Sequence, residues 1–225
     1  MKRQLLIGAA LAMTAGVASA AQWQVEITNV TPGQTFTPIL IATHYGDSGV
    51  PGVGAPASDA LAMLAEGGAT DPLGEQIAGS TGRGTQRVTI DGLLAPGQTA
   101  ATTVSGRPGQ RLTLAAMLIP TNDTFVSIGS VFLPLYGETI VRALAYDAGS
   151  EANSQRCADM PGPRCGGAGY SPGANDGDEG FVHVSNGFHD LGMGGAGPDE
   201  ILSPVHYSWN NPVAIVTIRR VYGAH

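Results

Sequence analysis

The sequence predicts an all-β fold: an antiparallel β-sandwich with one short helix and long Gly/Pro-rich loops. Three observations predict it. Apolar or alternating runs recur along the chain between turn residues, 33 Gly and 15 Pro in 225 residues supply those turns, and a 43% hydrophobic content can fill a core.

The elements follow in order. The opening "MKRQLLIGAALAMTAGVASA" carries Lys2 and Arg3, then an apolar stretch, then Ala18-Ser19-Ala20 as a small-residue cleavage site. This reads as a secretory signal peptide over 1–20. The stretch is shorter than the roughly 20 residues needed to span a bilayer, and no later segment is long and apolar enough, so no transmembrane segment is expected. No cysteine stands at the cleavage site to take a lipid anchor. The mature chain, 21–225, is therefore expected to be secreted or periplasmic. In it Trp23, Val25 and Ile27 alternate with Gln24, Glu26 and Thr28, which predicts a half-buried first strand ending at Thr31-Pro32-Gly33-Gln34. Phe36 to Thr43 is the second. Pro56 to Glu66, "PASDALAMLAE", is the helix, with Pro near its first turn and Gly67-Gly68 to stop it. Asp71-Pro72 starts at most another helical turn through Ile77. Further strands are expected at Gln86 to Ile90, Thr99 to Ser105, Arg111 to Leu118, Phe125 to Leu133, Glu138 to Tyr146 and Phe181 to Val184, and Pro212 to Val221 closes the sheet. Pro-Gly-Gln recurs at Pro32, Pro96 and Pro108 with unequal spacing, which is turn punctuation and not a repeat.

Charge and cysteine content narrow the function. Loss of Lys2 and Arg3 removes two of 11 basic residues and none of 18 acidic ones, taking the formal charge from −7 to −9. Nucleic acid is excluded as a partner, since phosphate binding needs a basic surface. Cys157 and Cys165, in "RCADMPGPRCGG", are the only cysteines. In an oxidising compartment they read as a disulfide closing a surface loop, because neither CxxC spacing nor a nearby His favours a redox or metal pair. From Gly149 to Gly180 the chain is a long stretch rich in Gly, Pro, Asn and Asp, of the kind found where a loop is functional or pinned. No second apolar core flanks it, so 21–225 is one domain.

Two stretches place carboxylates where strands stop. "MLIPTNDTFVSIG" is broken by Pro-Thr-Asn-Asp, and "AYDAGSEAN" leaves its strand at Asp147. Together with "EITNVTPGQTFTPILIATH", "ALAMLAEGG" and "WNNPVAIVTIRRV", in this order over roughly Gln22 to Val221, they resemble the spondin domain, the N-terminal module of F-spondin and mindin, in a single-domain bacterial form. The resemblance implies an antiparallel β-sandwich with a calcium ion at one end and, in animals, a part in cell adhesion within the extracellular matrix. The long insertion and "HVSNGFHDLG" depart from the animal form. Calcium takes six to eight oxygen ligands, at about 2.3 to 2.6 Å, from several loops at once. Asp123, Asp147, Glu151 and Glu66 are the charged candidates, and Asn122 or backbone carbonyls the neutral ones. Singly, each is also ordinary turn chemistry.

Other patterns fail their context. Gly192 to Gly197 fits G-x-G-x-x-G but runs into Pro198-Asp199-Glu200 with no helix to follow. "NDGDEG", with Asp176 and Asp178, lacks the closing acid of an EF-hand and reads as a solvated loop. His44, His183, His189, His206 and His225 form no H-E-x-x-H, and no G-x-S-x-G elbow is present. His183 and His189 flank "VSNGF" and could meet at a turn to bind a transition metal, although hydrogen bonding is the plainer role. The expected function is an exported, non-enzymatic calcium-binding sandwich acting as an adhesion or ligand-binding module toward an unspecified extracellular or surface ligand. The alternative is a periplasmic metal-dependent hydrolase using a carboxylate-bound ion and His183 or His189.

Overall fold

Among the described residues ten strands, all paired antiparallel, carry the fold. They are β1 (Ala21–Asn29), β2 (Thr35–Phe36), β3 (Ile39–His44), β4 (Gln86–Ile90), β5 (Thr99–Gly106), β6 (Arg111–Ile119), β7 (Thr124–Phe132), β8 (Glu138–Asp147), β9 (His183–Val184) and β10 (Ala214–Val221). The computed structural model describes residues 20–173, 177–192 and 195–222. The expected signal peptide, except Ala20, lies outside these, as do Asp176 and His225. Among the described residues no helix is long and apolar enough to cross a membrane.

The strand order is β4-β3-β6-β7-β8-β10-β1-β5, with β2 on β6 and β9 on β8. β8 joins two layers: Glu138 to Ala143 pair with β10, whereas Leu144 to Asp147 pair with β7. The ends of the path also meet. β4 lies beside β5, and Thr43 Oγ1 donates to Ser105 O at 2.8 Å, so the sandwich is nearly closed into a barrel.

Alternation in β1 buries Trp23, Val25 and Ile27 between the layers, where they and Val216 and Ile218 of β10 share a core with Leu112, Leu114, Ala116 and Leu118 of β6. The opposite face of β3, β6 and β7 is buried too. Leu40, Ala42, Ala115 and Phe125 are covered by Leu61 and Leu64 of helix α1 (Asp59–Gly67) and Leu73 and Ile77 of helix α2 (Thr70–Thr81). Burial on both faces explains why "ILIATH" and "RLTLAAMLI" read as unbroken apolar runs.

Local chemistry corrects the expected boundaries. Pro38 has no amide hydrogen to offer a ladder, and the strand expected from Phe36 to Thr43 is split into β2 and β3. Ser58 Oγ accepts from Leu61 N at 3.2 Å and starts α1 there, and Gly68 at φ 72° ends it. α2 runs for 12 residues where the sequence suggested one turn, because Leu73 and Ile77 dock on the sheet despite the poor helix propensity of Gly74 and Gly79. A third, four-residue helix, α3 (Pro204–Tyr207), begins at Ser203. Of the strand expected at Phe181 to Val184, only β9 forms.

The loop between β8 and β9 is pinned by the Cys157–Cys165 disulfide, with an S–S distance of 2.05 Å. Cys157 N also donates to Glu200 O at 2.9 Å, and Arg164 pairs with Glu200 at 2.6 Å. Closing so short a loop contributes about 2 to 3 kcal/mol in the chain-entropy model. Reduction should lower stability by that amount in denaturant melts, with new protease cleavage confined to the Cys157 to Gly167 segment.

Candidate metal centre

Register gathers the acidic residues. Asp147, the last residue of β8, pairs with Thr124 of β7 on one side and His183 of β9 on the other, and Asp123 precedes Thr124. Ala148 N donates to Asp123 O at 3.1 Å, which folds the loop after β8 back over the β6–β7 turn. That loop supplies donors to one oxygen of Asp123: Oδ2 accepts from Ser150 N at 2.8 Å and Glu151 N at 3.1 Å. Ser150 Oγ stands 3.4 Å from the same oxygen and also bonds the Glu66 carboxylate, linking the loop to the end of α1.

Four of the sequence candidates thus share one end of the sandwich, and all four are buried: Asp123 is 0% exposed, Glu66 1%, Asp147 2% and Glu151 8%. Among the described residues none of them pairs with Lys or Arg; His183 Nε2 stands 3.5 Å from Asp147 Oδ1, an ion pair only when the ring is protonated. Two oxygens have no hydrogen-bond partner there, Glu66 Oε1 and Asp123 Oδ1. Glu66 Oε2 accepts from Ser171 N at 2.7 Å. Glu66 also lies in the last turn of α1, the negative end of the helix dipole, and no basic residue occupies that turn.

Burial in a dry site raises every pKa in the group, and neighbouring like charge adds to it for Asp123, Asp147 and Glu151. Burial is the main cause for Asp123, held well above the ordinary carboxylate range, with the charge of Asp147 next. Burial raises Asp147 and Glu66 as well. Glu151 is pushed up to about 8, by burial first and then by Glu66 and Asp159. Asn122, the neutral candidate, directs its side-chain oxygen to Gln155 N at 3.2 Å and its amide to Ser154 Oγ at 3.2 Å, so it holds the loop beside Glu151.

Two open pockets reach this end. One, of about 300 Å³, is lined by Asn122, Glu151, Ser154, Asp159 and Ser171, and the other, of about 240 Å³, by Asp59, Glu66, Ser150, Ser171 and Asp178. Ser171 lines both.

Sequence reasoning missed the neighbours of Asp147. Asp147, Glu179 and His183 bring one ligand atom each within 4.8 Å of one another, a group that could hold a metal ion. Asn153 Nδ2 donates to Asp147 Oδ2 at 2.9 Å and to Glu179 Oε1 at 3.0 Å, holding the two carboxylates together. The approach of the β9 segment requires Gly149: at φ +62°, a Cβ there would lie 2.3 Å from Phe181 O. Glu179 belongs to "NDGDEG", read from sequence as a solvated loop, and it is indeed exposed. Only the pairing of β9 with β8 makes it a neighbour of Asp147. His189 does not join His183 in this group; its backbone is held by Gln155, with His189 N donating to Oε1 at 2.6 Å. No protein-family model matches this chain, and no curated protein matches it significantly.

Proposed function

We propose that this chain is an exported, non-enzymatic calcium-binding β-sandwich of the spondin type, serving as an adhesion or ligand-binding module. The observation that carries the calcium reading is the pair of buried, unpartnered carboxylate oxygens, Glu66 Oε1 and Asp123 Oδ1, in a group without Lys or Arg among the described residues. A buried carboxylate is retained where it is paired or coordinates a metal. Oxygen donors from a helix end, a turn and a loop suit calcium, which accepts irregular arrays of six to eight oxygens, better than magnesium with its tight octahedron. Glu66, Asp123 and Glu151 would hold the ion, with Asp147 adding charge and Asn122 orienting the loop. The disulfide and the leader-like N-terminal sequence support export, and the spondin resemblance supports adhesion. The Asp147–Glu179–His183 group serves a binding module and a hydrolase equally and decides nothing between them.

Calorimetric titration of chelator-treated mature protein with calcium tests the reading. One ion per chain should bind, with magnesium weaker. Absence of calcium binding at millimolar concentration would overturn it.

A further inference from the structure

We propose that the Asp147–Glu179–His183 group is a cation site in its own right, taking a borderline transition ion of the zinc class through the imidazole of His183. The inference goes beyond the calcium reading and does not depend on it. It begins with the ring of His183. Nδ1 lies 3.0 Å from Val184 O, and a carbonyl oxygen can only accept, so Nδ1 carries the hydrogen. In the neutral ring Nε2 then presents a lone pair. That lone pair is buried, without a hydrogen-bond donor, and it faces Asp147 Oδ1 at 3.5 Å. With the ring neutral, two acceptors directed at one another across a dry gap repel, and either a second proton on Nε2 or a metal ion between them relieves it.

The surroundings fit that cation. A tetrahedral ion with bonds of about 2.0 to 2.1 Å sets its ligand atoms about 3.4 Å apart, close to the Asp147–His183 separation. Glu179 supplies the third atom of the group and is exposed, which leaves a side open for water as a fourth ligand. The supporting contacts are those expected around a ligated histidine and carboxylates: a carbonyl fixes the ring through Nδ1, and the Asn153 amide bridges the two acids. Imidazole beside carboxylates favours zinc and its neighbours over calcium, which takes oxygen alone. Asp147 thus has the charge of Asp123 on one side and the His183 ring on the other.

The test uses zinc chloride with chelator-treated mature protein, in the absence of calcium and at saturating calcium. One zinc ion per chain should bind in both conditions. His183→Ala should weaken binding about 100-fold and Asn153→Ala, which removes a positioning residue, about 10-fold, the range over which ligand-orienting partners act. Glu179→Gln, at an exposed position that leaves folding intact, should also weaken zinc and spare calcium, whereas Asp123→Asn should spare zinc. Nitrogen NMR should show the His183 Nε2 resonance shifting on zinc addition with Nδ1–H retained. Zinc binding unchanged in both His183→Ala and Glu179→Gln overturns the proposal, as does stoichiometric displacement of zinc by calcium, which would mean one shared site. Loss of calcium binding with these zinc results intact would overturn the calcium reading alone.

Discussion

Asp123→Asn should abolish most of the calcium-dependent rise in melting temperature and, at the same time, raise the melting temperature of the metal-free protein. The two effects share a cause. Asp123 is fully buried, its Oδ2 satisfied by the amides of Ser150 and Glu151 and its Oδ1 by nothing among the described residues. An asparagine keeps an oxygen for those two amides and deletes the charge. Without metal, that deletion relieves repulsion from Asp147 and Glu151, both of which act on the Asp123 carboxylate. With metal, it removes a ligand charge and an oxygen. An ion that binds only the native state adds about 2.7 kcal/mol at a hundredfold excess over Kd, or roughly 5 to 10 °C for a domain of this size. Differential scanning calorimetry with calcium and with chelator reads both numbers. Were Asp123 only a turn residue, calcium would shift neither protein; an Asp123→Asn variant with the full wild-type shift would sink the assignment.

Legibility from sequence followed the range of the interactions. β1 was readable because one buried face gives strict alternation at Trp23, Val25 and Ile27. β6 was readable as a strand but not as one covered on both sides, since nothing local says that α1 docks on it. α2 itself was nearly invisible: Gly74 and Gly79 weaken its pattern, and Leu73 and Ile77 become informative only once Leu40 faces them. The site divides in the same way. Asp123 and Asp147 announced themselves by stopping strands, and Glu66 by ending a helix. Glu179 had no such signal. Its place beside Asp147 depends on Tyr146 pairing with Val184, across a long loop whose path is set by the disulfide and by Gly149.

The metal-free protein should lose stability as pH rises from about 6.5 to 8.5, and calcium should cancel or reverse that loss. The sign follows from the direction of the shifts. Glu151 titrates at about 8 in the folded chain against an ordinary 4.5, and Asp123, Asp147 and Glu66 are also raised, burial being the leading cause in each. A group whose folded pKa is raised contributes stability that is complete below its unfolded value and is lost as pH climbs through the folded one. For Glu151 that window runs from 4.5 to about 8. His44 opposes it on the acid side, because burial lowers its pKa and stability is lost as pH falls below the ordinary 6.5. Between pH 6.5 and 8.5 the carboxylates therefore act alone among the shifted groups of the interior. A fall of about 4 to 8 °C is expected in chelator from Glu151 alone, which loses about 2 kcal/mol between pH 6.5 and 8, at roughly 2 to 4 °C per kcal/mol in domains of this length. Calcium binds the ionised form, so the same rise in pH strengthens its hold and turns the slope upward. Glu151→Gln should flatten the chelator curve while weakening calcium. A metal-free melting temperature that stays level or rises across this range would mean that the four acids are not the strained group described above.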